Sequence, residues 1–263
     1  MKITLFTSNQ RRHNFLINLL SKNCKKLFVV QECTTVLTGK KNGLYKKNKL
    51  IEEYFLKVKA AENKIFKDYY IKSSNKINLL PLQYGDLNYV KIKDIEKFLK
   101  SDLYIVFGSS FIKGNLLKYL IKKKAINIHM GISPYYKGSD CNFWALYDGN
   151  TDLVGATIHM LSKDLDGGKI LFHAISEYHK NPYLYSMSTV KSAFIAIIYY
   201  IIKKRKFFKP KKQNFDLNIK FSKRKQFQNR IISQFNKKII SYKKIRNDFF
   251  INKFVLKKKD FFN

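Results

Sequence analysis

Acidic residues are scarce: 18 Asp and Glu face 52 Lys and Arg in 263 residues, a net charge of +34. Such a balance fits anionic ligands or nucleic acid as partners. The lysines are spread along the whole chain, however, and Asn, Ile, Phe and Tyr are abundant too. AT-rich coding would leave the same pattern. Cysteine is nearly missing. Cys24, Cys33 and Cys141 are odd in number and scattered, which argues against a disulfide framework and for reduced thiols in the cytoplasm. These three and the five histidines form no close cluster, so no metal-ligand spacing is present. The first residues carry no signal-peptide h-region. One apolar run, residues 190–202, contains Lys191 and is too short to cross a bilayer. It is expected to be a buried helix on a sheet, and no membrane association is expected. No internal repeat is visible.

The most informative stretch is residues 126–168. A short apolar run, residues 125–129, follows a basic helix end and becomes polar at its C-terminal end. Period two puts Asn127 and His129 on one face, roughly 6–7 Å apart along the strand. Residues 153–161 form a second strand candidate. Its exit delivers Asp166 into a Leu-Asp-Gly-Gly turn, and residues 169–178 read as a returning strand. Gly167 and Gly168 permit a tight turn and a close backbone approach by a ligand. Taken singly, an Asn at a strand end, a strand His and an Asp before Gly-Gly are ordinary turn or structural residues. Together they are the parts needed to move a carbonyl group between amines. The amide and imidazole can hold an oxyanion, and the carboxylate can set the imidazole charge and take up a proton.

This stretch resembles the catalytic core of the folate-dependent formyltransferases, which act on glycinamide ribonucleotide, methionyl-tRNA or nucleotide-sugar amines. The shared pattern is N-x-H-x-S-x-x-P-x-x-x-G, a helix, a strand, then x-D-x-G. Asn127, His129, Pro134, Gly138, Gly155, Asp166 and Gly168 follow it in order, and Gly131 departs from the usual Ser. The likeness is specific over about residues 100–175. It implies Asn127, His129 and Asp166 as the catalytic residues, with 10-formyltetrahydrofolate as co-substrate and no metal. His159, where the family often has a His, is expected to support them from behind. The cofactor loop implied by alignment comprises Ser110, Phe111 and Lys113, with Lys163, Asp164 and Leu165 closing the other side. An ordinary strand-to-helix turn capped by Ser109-Ser110 fits the first of these loops equally well. Cys141 and Trp144, in a short helix over residues 142–147, are expected to pack, with Trp144 able to line the substrate side.

Strand and helix patterns alternate up to about residue 205, the signature of a largely parallel sheet covered on both faces. The expected fold is therefore α/β: a Rossmann-like, mostly parallel sheet with helices on both faces, plus a C-terminal helical appendage. Residues 1–208 are expected to form the catalytic domain and residues 209–263 a basic helical extension packed on it. Individual expectations include strands at residues 2–8, 77–83 and 102–108 and helices at 12–20 and 91–100. Residues 38–60 read as a basic loop and then a helix, and Pro182 and Pro210 bracket the last long helix. In the extension, Phe227, Ile231, Phe235, Ile239 and Tyr242 keep helical spacing.

The N-terminal loop limits the acceptor. Purine-pathway relatives place a Gly-rich phosphate loop between the first strand and helix, whereas residues 7–13 here contain no glycine. Asn9, Gln10, Arg11 and Arg12 at a helix N-terminus can still bind an anion, although a solvated helix cap would look the same. Residues 209–263 hold no strand-rich segment long enough for the barrel with which methionyl-tRNA enzymes hold tRNA. The leading expectation is a small, anionic amine acceptor, a nucleotide-linked amino sugar of surface-polysaccharide biosynthesis. Methionyl-tRNA formylation is the runner-up. A non-catalytic folate- or RNA-binding protein on the same scaffold is a third reading, so nucleic acid is a possible but not favoured partner. Oligomeric state cannot be read from these residues.

Overall fold

The computed structural model describes residues 1–262 apart from 68, 69, 207 and 239. The strands and helices in chain order are β1 Lys2–Ser8, α1 Arg11–Asn23, β2 Lys26–Cys33, α2 Lys49–Phe66 and β3 Ile77–Gln83. There follow β4 Leu103–Phe107, α3 Gly114–Lys122, β5 Ile126–His129, β6 Tyr136–Gly138, α4 Cys141–Tyr147, β7 Ala156–Met160 and β8 Ile170–Ser176. The chain ends with α5 Pro182–Ala196, β9 Lys220–Ser222, α6 Asn229–Lys237 and β10 Phe254–Leu256. Among the described residues the main sheet has eight strands in the order β10-β8-β7-β5-β4-β1-β2-β3. Only β7 runs against its neighbours. The α/β, mostly parallel expectation therefore holds.

Sheet position explains the sequence patterns. β1 and β2 are buried almost end to end, as strands covered by helices on both faces must be, and so they read as continuous apolar runs. β4 and β5 pair in parallel, with Val106 opposite Asn127. The polar ends of both therefore emerge at the same carboxyl edge of the sheet, where ligands of such sheets sit.

The apolar run belongs to the long helix expected between Pro182 and Pro210. α5 continues through a π-helical turn to Lys203. Residues Pro182–Lys203 are long and apolar enough to cross a membrane by length and composition, but 72% of that window is buried inside the fold. It is a core helix on the sheet. Even Lys191 is buried, with its Nζ donating to Phe261 O at 3.1 Å.

Residues 92–99 differ from the expected α-helix. Ile92–Leu99 forms 3₁₀ turns broken at Ile95. The apolar residues Ile92, Ile95 and Phe98 recur every three positions, which a 3₁₀ turn aligns on one face; Ile95 is buried, with Ile92 and Phe98 packed beside the same cluster.

The C-terminal extension is only partly helical. α6 buries Ile232 and Phe235. Phe227 lies before its start and Tyr242 is exposed beyond its end, and Ile239 falls outside the described residues. Two three-residue strands were not expected. β9 pairs with β6, and β10 joins the edge of the main sheet beside β8. An edge strand left bare is an aggregation hazard, and β10 covers that of β8.

Candidate active site

β5 ends with Asn127 and His129 on its site-facing side, and the turn after β7 carries Asp166 toward them. The Asp166 backbone is left-handed, with φ of 51°. Its Oδ1 lies 3.2 Å from His129 Nδ1, and Oδ2 accepts the Gly138 N–H at 3.0 Å. His129 Nε2 donates to Tyr136 O at 3.0 Å. With both ring nitrogens facing acceptors, the ring is an imidazolium. Burial opposes that charge, but the Asp166 carboxylate outweighs it and holds the His129 pKa well above the ordinary value. Burial alone would raise Asp166, yet the charged ring beside it and the Gly138 N–H pull it down to about 2.

His159 completes the cluster. Its Nδ1 faces Met160 O at 2.9 Å, which makes Nδ1 the donor, so Nε2 accepts from Asn127 Nδ2 at 3.0 Å. Burial pushes its pKa down to about 4, so the ring is neutral. It also lies 3.9 Å from Asp166 Oδ1. His159 thus orients the Asn127 amide while leaving that amide's second N–H for other partners. Cys141 is buried, and burial raises its thiol pKa; Sγ donates to Gly138 O at 3.5 Å. The departure at Gly131 has a steric reason. A Cβ there would lie 2.6 Å from His129 Nε2 and 2.5 Å from Cys141 Cβ.

A cavity of about 610 Å³ borders this cluster through Met130, Gly138 and Cys141. Asn9, Gln10, Arg11 and Arg12 line it, though their side chains are largely engaged. Asn9 pairs with Thr34 through Nδ2 to Thr34 O at 2.9 Å, and Gln10 donates to Thr34 Oγ1 at 3.3 Å. Arg12 is ion-paired to the buried Glu62, and Arg11 Nη1 donates to Lys67 O at 3.0 Å. Asn127, His129 and Asp166 are not among its lining residues. Trp144 is buried away from the cavity beneath the Lys220 ammonium, which sits 4.1 Å from its ring centroid.

The expected cofactor residues lie outside this cavity, although Gly108 and Ser109 of the first loop reach it. Ser110 is not a helix cap. α3 starts at Gly114 behind Lys113, and Ser110 instead binds Glu32, with Oγ to Oε1 at 2.9 Å. Glu32 also takes Gly85 N–H at 2.8 Å, and Asn88 Oδ1 takes Lys113 N–H at 2.8 Å. Glu32 went unnoticed in the sequence. The signal was a carboxylate near the C-terminal end of β2, just after its apolar run 27–30. In the second loop, Leu165 is exposed, as Phe111 is in the first. Lys163 and Asp164 precede Leu165, and Asp164 O accepts from Ser162 Oγ at 2.9 Å.

Two further residues come from the extension. Gln213 Nε2 donates to Asp166 O at 2.8 Å and to Gly168 O at 2.7 Å, clamping the turn that carries the carboxylate. Its Oε1 is buried with no partner among the described residues. Arg224 lines the large cavity beside Asp140 and Tyr45, and Tyr45 hydroxyl donates to Asp140 at 2.8 Å. Among the described residues no group of three or more His, Cys, Asp or Glu is placed to hold a metal ion.

Comparison with known proteins is consistent with this geometry. Residues 14–182 match the family model described as formyl transferase. A curated relative, formyltetrahydrofolate deformylase 2, mitochondrial, of Arabidopsis thaliana, is 33% identical over 93 residues, covering 32% of this chain and 28% of its own length. The chain thus spans under a third of the curated relatives it matches. Among solved structures, phosphoribosylglycinamide formyltransferase from Anaplasma phagocytophilum aligns with TM-score 0.51 and 14% identity, over 77% of this chain and 85% of that one. A sugar N-formyltransferase from Shewanella gives 0.51 and 15%, over 86% and 78%. Methionyl-tRNA formyltransferase from Clostridium thermocellum gives 0.50 and 13%, over 89% and 81%. These three establish a shared fold and, having different acceptors, favour none. The family model covers more than half of the sequence and spans the strands and turn that bring Asn127, His129 and Asp166 together, and on that ground the chain belongs to the formyl transferase family.

Proposed function

We propose that this protein transfers a formyl group from 10-formyltetrahydrofolate to an amine, and that the acceptor is a nucleotide-linked amino sugar. The observation that carries the reading is the buried His129–Asp166 pair, 3.2 Å apart, with Asn127 alongside. The co-substrate supplies a formyl carbon already activated on nitrogen. Asn127 and the His129 imidazolium hold the negative charge that grows on the formyl oxygen, and removing one such donor costs about 100- to 1000-fold in rate. His129 Nε2–H goes to Tyr136 O in this state, so engaging a substrate oxygen means sharing or surrendering that bond. Asp166 keeps the ring charged and takes the proton shed by the attacking amine, directly or through water; as the bond between the formyl carbon and the folate nitrogen breaks, that proton passes to the departing nitrogen, leaving tetrahydrofolate and the formylated amine.

The residues present fit the co-substrate. Gln213 Oε1 is a buried acceptor with no donor among the described residues, next to the 163–165 segment expected to close over the co-substrate, whose ring N–H groups need acceptors. Phe111 and Leu165 offer exposed apolar surface, and Lys113 and Lys163 offer cations for a glutamate tail. Arg224, with Asn9 to Arg12, supports an anionic acceptor in the large cavity. Residues 209–263 serve this catalytic unit as a packed extension that lends it Gln213 and Arg224.

The curated relatives favour a second reading, hydrolysis of the formyl group by water. A cavity of about 610 Å³ is far more than water needs and suits a small-molecule acceptor. The test is to offer 10-formyltetrahydrofolate with a panel of amino-sugar nucleotides and aminoacylated tRNA, reading formylated product and free formate by mass spectrometry. A formylated sugar nucleotide is expected. Formate alone, at the same rate with and without acceptors, would establish the hydrolase. Formylated methionyl-tRNA would establish the tRNA enzyme.

A further inference from the structure

One donor in the wall of the large cavity is left open. His13, in the first turn of α1, is only 3% exposed and lines that cavity. Its Nδ1 accepts Gln10 N–H at 3.1 Å. Burial, with the Arg12 charge beside it, holds the ring pKa well below the ordinary value. The ring is therefore neutral, and its single proton sits on Nε2. Nε2 has no partner among the described residues, yet it is not one of the polar atoms sealed from solvent. Gly108 lies against it, with φ of 72°, and a Cβ there would come within 2.5 Å of Nε2. β4 and β5 pair with Val106 opposite Asn127. Continued for two residues, that register sets Gly108 beside His129, roughly one strand spacing of 5 Å away. The open donor thus stands next to the His129 cluster, on the cavity side.

Asp140 lines the same cavity from the start of α4. Its backbone is left-handed, with φ of 58°, a conformation that Asp and Asn tolerate better than other side chains. The residue is partly exposed, and both carboxylate oxygens are met by a single hydroxyl, that of Tyr45, at 2.8 Å each. A carboxylate offers about four acceptor sites, so lone pairs remain for a ligand. The two walls ask for opposite things. Neutral His13 gives a hydrogen bond at Nε2 and cannot accept one there; ionised Asp140 accepts and cannot give. A phosphate only accepts, and an ammonium only gives. A hydroxyl does both, so a ring that carries hydroxyl groups satisfies both walls. Because Nε2 already holds the proton of the neutral ring, His13 is not a base for the attacking amine; its part is recognition. We propose that His13 and Asp140 read the hydroxyl groups flanking the amine of the acceptor sugar and so determine which amino sugars the site takes. This inference rests on the amino-sugar reading of the cavity given above.

The test is calorimetric titration of the full chain, without co-substrate, with three probes: a nucleotide-linked amino sugar hydroxylated beside the amine, its counterpart deoxygenated at that carbon, and the nucleoside diphosphate alone. The hydroxylated sugar is expected to bind at least about ten-fold more tightly than the other two, a difference of about 1.4 kcal/mol. Asp140→Asn keeps the shape and the left-handed backbone. His13→Phe keeps a ring against Phe107, whose centroid lies 4.8 Å from that of His13. Each variant is expected to shrink the preference to about two-fold or less while tetrahydrofolate still binds within about two-fold of the natural protein. Equal affinity for the hydroxylated and deoxy sugars would overturn the assignment, because phosphate and amine would then satisfy both walls. So would a nucleoside diphosphate that binds as tightly as the sugar nucleotide, absence of binding at millimolar concentration, or variants that lose tetrahydrofolate affinity along with the preference. None of these measurements needs turnover. A protein that shows the preference yet releases only formate keeps this inference and loses the transfer reading, and one that formylates both sugars without preference does the reverse.

Discussion

Three buried histidines in one small region carry opposite charge states, and their partners decide which. His129 faces two acceptors and is held charged by Asp166. His159 and His173 each accept a hydrogen bond on one nitrogen and donate on the other. Burial lowers both to about 4. His173 Nδ1 takes Ile251 N–H at 2.9 Å, and Nε2 donates to Ser133 O at 3.0 Å. The consequence for stability follows from the direction of each shift. The unfolded chain binds protons on these two rings below about pH 6.5 while the folded one does not, so stability falls as pH drops from 6.5 toward 4. Each ring can contribute up to roughly 3 kcal/mol to that loss. His129, shifted upward, loses its contribution only as pH rises through its folded pKa, so it takes no part in the acid limb. Urea unfolding at pH 7 and pH 4.5 should show a steep acid loss in the natural protein and a visibly smaller one in His173→Gln. Equal losses in both would contradict the neutral, buried assignment of His173. At this scale Asn127 and His129 were expected on one face and Asp166 in the turn from strand period and turn chemistry, which are local, whereas His159 was expected beside them only through the family resemblance. The charge states were not legible, since they depend on Tyr136 O, Met160 O and Ile251 N.

Elements bring those residues together, and here the extension matters more than its composition suggests. Gln213 ties the turn holding Asp166, and β9 lies so close to β6 that a Cβ on Gly138 would sit 2.0 Å from Ser222 O. With φ of 93°, Gly138 also needs a backbone that other residues rarely adopt. Gln213→Ala should lower kcat about ten-fold by loosening the carboxylate. Losing two hydrogen bonds at about 1 kcal/mol each should lower stability only modestly. A split in which KM for the folate changes and kcat does not would mean that Gln213 serves the cofactor and not the placement of Asp166. Of the strands up to β8, all but β2 and the three-residue β6 were expected from apolar runs and periodicity. β9 and β10 were not, because three-residue strands have no periodicity of their own and exist only through the partners they pair with. The turns at residues 92–99 carried their signal in the spacing of Ile92, Ile95 and Phe98, which the α-helical reading passed over.

For the whole molecule, the large positive charge surrounds a few acids that are not solvated. Glu32, Glu62, Asp152 and Asp166 are all buried, and each stands at a loop, an ion pair, a cavity or the His129 cluster. The cavity itself could not be read from the sequence. It is assembled from the loop after β1, the aromatic residues of Tyr45, Tyr54 and Phe55, the start of α4 and Arg224, segments brought together only by the tertiary fold. What joins these parts to chemistry is the claim that the Asp166–His129–Asn127 cluster moves a formyl group from 10-formyltetrahydrofolate. Its most direct test is the rate at which tetrahydrofolate forms from 10-formyltetrahydrofolate, with the accepted amine present, in the natural protein, Asp166→Asn and Asn127→Ala, each checked for intact fold by circular dichroism. The account expects turnover in the natural protein and a fall of about 100-fold or more in each variant; natural rates in folded Asp166→Asn and Asn127→Ala would contradict it.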